Sequence, residues 1–257
     1  MYSTVREKNN SDNEQFVREM RDFFDTKAME TTKGDYEYHR WFAGARKRRQ
    51  YRHSTESISY HLRDVNARSC LEVGCGPGTW TRVLLARYPE ARFVCLDISR
   101  EMILQFKKNI PSKRVRTLVN NFLDQEFKER FDFIFCSRAI EYIPNKTKVI
   151  EKVYSLVEPG GKGIIISSPP HKLLFSLKRF IGRKIDLEHT QRISVKNITH
   201  LLEKKGFSNI RTYPILFSDF PLVPNRFLFR RFYTKPWGVV ARLFASGYLT
   251  KFEKKRA

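Results

Sequence analysis

The stretch Leu71-Glu72-Val73-Gly74-Cys75-Gly76-Pro77-Gly78-Thr79-Trp80 decides the fold. An apolar run over 69–73 reads as a buried strand, three glycines alternate behind it, and a helical segment starts at Thr79. Alternating glycines at a strand-to-helix turn let a ligand approach the backbone closely. A Walker phosphate loop is excluded, because it ends in Gly-Lys-Ser/Thr and no lysine follows here. The dinucleotide fingerprint Gly-x-Gly-x-x-Gly also fails: the third glycine comes one place early, at Gly78, and Thr79 stands in its position. Glu72, two residues before the first glycine, would repel a pyrophosphate and suits a ligand with positive charge.

Strand and helix patterns alternate on through the chain. Further strands are expected at 92–96, 115–119, 132–136 and 163–167, with helices at 79–88, 99–109 and 146–157 between them. Pro111 and the Glu158-Pro159-Gly160-Gly161 turn mark helix ends. This β-α-β-α order implies an α/β fold with a parallel, doubly wound sheet. The second strand ends in Asp97, where a carboxylate can accept two hydrogen bonds from ribose hydroxyls. A site that wants a ribose and a cation, with no phosphate in evidence, fits S-adenosylmethionine.

Five segments in order, "LEVGCGPGTWT", "FVCLDIS", "VNNFLDQEF", "FDFIFCSRAIEYI" and "VEPGGKGIIIS", resemble the successive motifs of class I S-adenosylmethionine-dependent methyltransferases. The resemblance covers about residues 60–213 and is nearest the small-molecule branch that includes quinone-biosynthesis enzymes. It implies a Rossmann-like, mostly parallel seven-stranded sheet and S-adenosyl-L-methionine as cofactor. Carried over by position, Gly74, Gly76 and Gly78 would pass close to the methionine part, and Glu72 would sit near its ammonium. Asp97 would bind the ribose and Ile98 would pack on the adenine. Asn121 stands where the family usually has an acid, and its side-chain oxygen could accept from the adenine amino group. Phe122 would add a backbone N–H, and Ser137 would contact the methionine part. Arg52 is either a partner for the cofactor carboxylate or a surface cation.

Ligands of open α/β sheets bind at the strands' carboxyl ends, which points to Arg138, Glu141, Tyr142, His171 and His189 around the acceptor. Of these His189, Tyr142 and Glu141 are the catalytic candidates, with His189 in "DLEHTQRIS" the favoured general base. Metal-binding relatives have Glu-x-x-Glu-His where this chain reads Arg138-Ala139-Ile140-Glu141-Tyr142, so no catalytic metal is expected. Ser168-Pro169-Pro170-His171 follows the fifth strand instead of the fourth, so it reads as a strand terminator and not as the motif of amino-methylating nucleic-acid enzymes.

The 257 residues suffice for one α/β domain with extensions: a helical N-terminal cap over 1–62, the methyltransferase domain over 63–213, and a basic, aromatic C-terminal extension over 214–257. Lys and Arg number 49 against 27 Asp and Glu, a formal net charge of +22 that attracts anionic partners. Cys70, Cys75, Cys95 and Cys136 show no metal-type spacing and read as buried free thiols. There is no long apolar run and no secretion signal at the N-terminus, so the expected location is cytoplasmic. The tail from Trp237 reads as an amphipathic helix, with Val240, Phe244 and Tyr248 at helical spacing and a terminal Lys/Arg cluster. That favours a peripheral membrane enzyme with a lipid or lipid-linked acceptor on an anionic surface. The alternatives are an RNA methyltransferase, a methyltransferase of a soluble small molecule with a structural tail, and a cofactor-binding scaffold without activity.

Overall fold

The computed structural model describes residues 10–30, 35–168, 192–217, 234 and 245–256. The N-terminal helix α1 (Asn10–Glu30) is followed by a π-helical turn (Tyr38–Phe42) and α2 (Ala45–His61). Then β1 (Ser69–Val73), α3 (Thr79–Arg87), β2 (Arg92–Asp97), α4 (Arg100–Asn109) and β3 (Val115–Val119) alternate. β4 (Phe131–Ser137) leads through a 3-10 turn (Ala139–Tyr142) to α5 (Lys146–Leu156) and β5 (Val157–Ser167). The helix α6 (Val195–Lys205), β6 (Phe207–Phe217) and β7 (Ala245–Lys254) complete the fold.

The seven strands form one sheet in the order β3-β2-β1-β4-β5-β7-β6. β1 to β5 are parallel, and β7 runs antiparallel to both β5 and β6. Side chains alternate across the sheet and build two cores. Cys70, Cys95, Phe133 and Phe135 face α2, α3 and α4 through Ile58, Leu62, Leu84 and Phe106. Leu71, Val73, Ile134 and Cys136 face α5 and α6 through Val149, Ile150, Val153, Ile198 and Leu202. Both faces are covered, which is why the strands read as continuous apolar runs.

Local signals set the helix ends. The Ser99 side chain accepts from the Met102 N–H, Asn145 from Lys148 and Ser194 from Asn197. Gly206 closes α6 in the left-handed conformation, φ 102°. The Glu158-Pro159-Gly160-Gly161 turn lies inside β5 as an irregularity, between the pairs Phe131–Val157 and Phe133–Lys162.

One element overturns the sequence reading. The tail expected to be a helix is, over its described part, a strand inserted between β5 and β6, so the extension over 214–257 carries an inner strand of the sheet. The spacing explains the error: Val240, Phe244 and Tyr248 lie four apart, which suits one turn of helix, but an even spacing is equally the period of a strand. Leu249 packs on one face of the sheet and Phe252 on the other. Phe252 lies over Gly163, where a Cβ would fall 2.1 Å from its ring. Two cations of the described tail are drawn in as well: Lys251 Nζ donates to the His61 carbonyl at 2.9 Å, and Lys254 Nζ to those of Tyr154 and Val157 at 2.8 and 2.9 Å. Trp237, Val240 and Phe244 lie outside the described residues.

Candidate active site

The loop after β1 makes the floor of a crevice at the carboxyl ends of β1, β2 and β4. Gly74, Gly76 and Gly78 all take positive φ, at 72°, 53° and 92°. The Gly74 and Cys75 N–H groups both donate to the Leu96 carbonyl, at 2.7 and 3.1 Å, which folds the loop against the end of β2. A Cβ on Gly74 would fall 2.1 Å from that of Ala139, whereas one on Gly76 would meet nothing within 4 Å. Gly74 is therefore needed for packing, and Gly76 opens toward the crevice.

Asp97 ends β2 with both carboxylate oxygens held. Oδ2 accepts from the Gly76 N–H at 2.8 Å and Oδ1 from the Ser99 N–H at 3.0 Å. Burial nonetheless raises its pKa above the usual carboxylate range. Ile98, Asn121, Phe122 and Ser137 line the same crevice. The Asn121 amide is set by its neighbours: Nδ2 donates to Asp124 at 2.8 Å, and Oδ1 faces the Leu123 N–H at 3.4 Å.

Four expected site residues fall elsewhere, the first being Gly78, which does not line the crevice and where a Cβ would fall 2.6 Å from Ile110. Glu72 does not line the crevice: it is buried behind the loop, accepts from the Thr81 hydroxyl at 2.6 Å, and burial pushes its pKa up to about 8. Its strand position turns the side chain toward α3, away from any ammonium in the crevice. Glu141 is fully buried and is held by the Ser168 N–H at 2.5 Å and Arg138 Nε at 2.9 Å, so it does not face the crevice as a base. Arg52 is exposed on α2 and is not a crevice residue. Tyr142 and Arg138 do line the crevice. His171 and His189 lie outside the described residues. Among the described residues, no group of three or more His, Cys, Asp or Glu could hold a metal ion.

The N-terminal part supplies a roof that the sequence reading did not assign. Met20 and Phe24 of α1 and Tyr36, Arg40 and Trp41 all line the crevice. Phe24 meets the Tyr142 ring edge-on at 5.0 Å across the opening. Asp25 anchors α1 by accepting from the Ser99 hydroxyl at 2.5 Å and the Glu101 N–H at 3.1 Å. Arg40 lies over the Trp41 ring at 4.2 Å, and Trp41 packs on Trp80 of α3 at 5.3 Å. The sequence signal was there, in the apolar face of α1 and the aromatic cluster over 36–51, but it named no partner.

Known proteins align with this arrangement. A family model described as a methyltransferase domain matches residues 70–161, from β1 into β5. The malonyl-[acyl-carrier protein] O-methyltransferase 2 of Ilyobacter polytropus is 28% identical over 158 residues, covering 60% of this chain and 61% of that protein. A trans-aconitate 2-methyltransferase of Rhodopseudomonas palustris is 28% identical over 99 residues, 37% of this chain and 36% of that one. The chain thus spans about three fifths or less of the length of these curated relatives. Among solved structures, the magnesium protoporphyrin IX methyltransferase of Synechocystis superposes with a TM-score of 0.64 over 93% of this chain and all of that one, at 16% identity, which is a likeness of fold.

Proposed function

Since its central domain belongs to the class I S-adenosylmethionine-dependent methyltransferase family, we propose that this chain transfers the methyl group of that cofactor to a small anionic acceptor. The observation that carries this reading is the fixed Asp97 carboxylate beside the open face of Gly76. The residues present fit the cofactor. Asp97 would take the ribose hydroxyls, Asn121 would accept from the adenine amino group, and Ile98 would cover the ring. The glycine loop and Ser137 would border the methionine part. Arg40 replaces Arg52 as the cation for its carboxylate, because Arg40 lines the crevice. S-adenosylmethionine, when bound, supplies a methyl group on a positively charged sulfur, activated for displacement.

The chain's own contribution is alignment and dryness. Met20, Phe24, Trp41 and Tyr142 wall the crevice, and holding two reactants in line there can lower a barrier by roughly 7–11 kcal/mol. Attraction between opposite charges also strengthens where water is excluded. The net charge of +22 would draw an anionic acceptor toward the opening. The names of the two curated relatives, malonyl and trans-aconitate methyltransferases, lend support to an acidic acceptor.

A lipid-linked acceptor at a membrane surface is the finer form of this reading. The strand at the C-terminus weakens it, because Tyr248 is buried and Lys251 and Lys254 bind backbone carbonyls. No helix among the described residues is long and apolar enough to cross a membrane. The net charge still favours anionic surfaces, and RNA would be drawn by the same field.

Calorimetric titration with S-adenosylhomocysteine tests the cofactor half. The expected result is saturable binding that Asp97→Ala weakens at least about 100-fold, or about 2.8 kcal/mol. Equal affinity in the variant would refute the assignment. Radiolabelled-methyl transfer to lipid, RNA and soluble pools of cell extract separates the acceptor readings, and label in the soluble acidic pool is expected.

A further inference from the structure

We propose that Arg138 is the acceptor-binding residue of the crevice, that the group it binds is a carboxylate which itself receives the methyl, and that buried Glu141 positions it. The inference rests on the methyltransferase reading and names the substrate class of that site. Arg138 directly follows β4 and takes a left-handed backbone, φ 67°, which is unfavourable for a side chain of this size. Its N–H donates to the Ile166 carbonyl at 2.8 Å, which fastens that conformation to β5. The side chain is 29% exposed and lines the crevice beside Ser137 and Tyr142.

Glu141 explains why the guanidinium stays there. The carboxylate is 0% exposed, with Oε1 at 2.9 Å from Arg138 Nε and Oε2 at 3.9 Å from Arg192 Nε. Oε1 also accepts from the Ser168 N–H at 2.5 Å, next to the end of β5. One buried carboxylate therefore faces two guanidiniums, of which that of Arg138 lines the crevice. A guanidinium is a planar fork, and the ion pair engages its Nε edge. The Nη edge is the part suited to take a second carboxylate side-on. Burial pushes the Glu141 pKa up, while Arg138 and Arg192 pull it back toward the ionised form.

The reaction balances without a base. A carboxylate oxygen of the acceptor forms the new O–C bond as the S–C bond breaks, and the electron pair goes to sulfur. No proton has to leave, because a carboxyl group is already ionised near neutral pH. The product is a methyl ester, and such esters release methanol in alkali.

The full chain is tested in two ways. In labelled extract, most of the transferred methyl should become volatile on alkaline treatment; alkali-stable label would overturn the inference. With S-adenosylhomocysteine bound, the protein should take up malonate at least about tenfold more tightly than malonamide, its neutral analogue. Arg138→Gly suits the left-handed backbone while removing the cation. Combined with Glu141→Gln, which avoids leaving a buried unpaired charge, it should weaken malonate at least about tenfold and leave S-adenosylhomocysteine affinity within twofold. Glu141→Gln alone should weaken malonate about threefold, and Arg138→Lys should recover part of the loss. Malonate and malonamide binding alike, neither binding to the loaded protein, or a parallel loss of S-adenosylhomocysteine in the Arg138 variants would each overturn the assignment. Failure of the unaltered chain to bind S-adenosylhomocysteine would instead sink the methyltransferase reading.

Discussion

The two ends of the chain look alike in sequence and do different work in the fold. Each is rich in aromatic and basic residues, and each reads as an extension of the central domain. The N-terminal end becomes a roof: α1 lies over α4, held by Asp25 and by the Gln105 side chain donating to the Ala28 carbonyl at 3.0 Å, and lends Met20 and Phe24 to the crevice. The C-terminal end becomes an inner strand, paired with β5 from Lys162–Glu253 to Ser167–Tyr248 and with β6 on its other edge. A helix laid on a finished domain can be lost with the sheet intact. A strand between two others cannot, because its removal leaves backbone donors and acceptors unpaired on both neighbours.

Truncation sharpens this contrast most. Removing residues 245–257 should abolish cooperative thermal unfolding, since β6 loses its place in the sheet and Phe207 loses its contact with Phe252. A truncated chain that still unfolds with a sharp transition would break the comparison. The roof should behave otherwise. Met20→Ala with Phe24→Ala should raise the dissociation constant for S-adenosylhomocysteine about tenfold, roughly 1.4 kcal/mol, while the unfolding midpoint moves only a few degrees. A collapse of stability in that variant would mean that α1 belongs to the core and not to the roof.

The smallest effect concerns Glu72, beneath the loop and on the sheet side of this division. Its pKa is raised from 4.5 in the unfolded chain to about 8 in the folded one, so the folded state holds the proton more tightly. Its contribution is therefore favourable below about pH 4.5, declines as the pH rises, and is lost above about 8. Glu72→Gln keeps a partner for Thr81 and carries no charge. The variant should match the natural protein near pH 5 and melt a few degrees higher at pH 8 to 9. A difference that does not grow with pH would contradict the buried, proton-holding Glu72.

The central sheet was legible because its signals are local. Apolar runs, the caps Ser99, Asn145 and Ser194 and the closing Gly206 each act within a few residues, and the structure has β1 to β5 within a residue or two of the expected ranges, apart from the earlier start of β5. The placement of the glycine loop, Asp97 and Asn121 beside one crevice was legible for the same reason: each stands at or just past the end of a strand. Glu72 was misassigned because only the direction of its strand, set by Leu71 and Val73 facing α5, turns it toward α3. Glu141 was taken for a catalytic candidate because nothing near it in sequence reveals Ser168 and Arg192 closing over it.

The sequence by itself determined that a glycine turn follows the first strand and an acid ends the second in an alternating α/β chain, since strand period, loop geometry and charge are properties of short segments. Only the tertiary structure decided that α1 roofs the crevice, that the tail is a strand, and that Arg138 faces the crevice while Glu141 is locked behind it. Those outcomes depend on contacts such as Phe24 with Tyr142, Phe252 with Gly163 and Glu141 with Ser168. Partners far apart in the chain meet only when a whole core closes, and a spacing of four residues does not say which core that is.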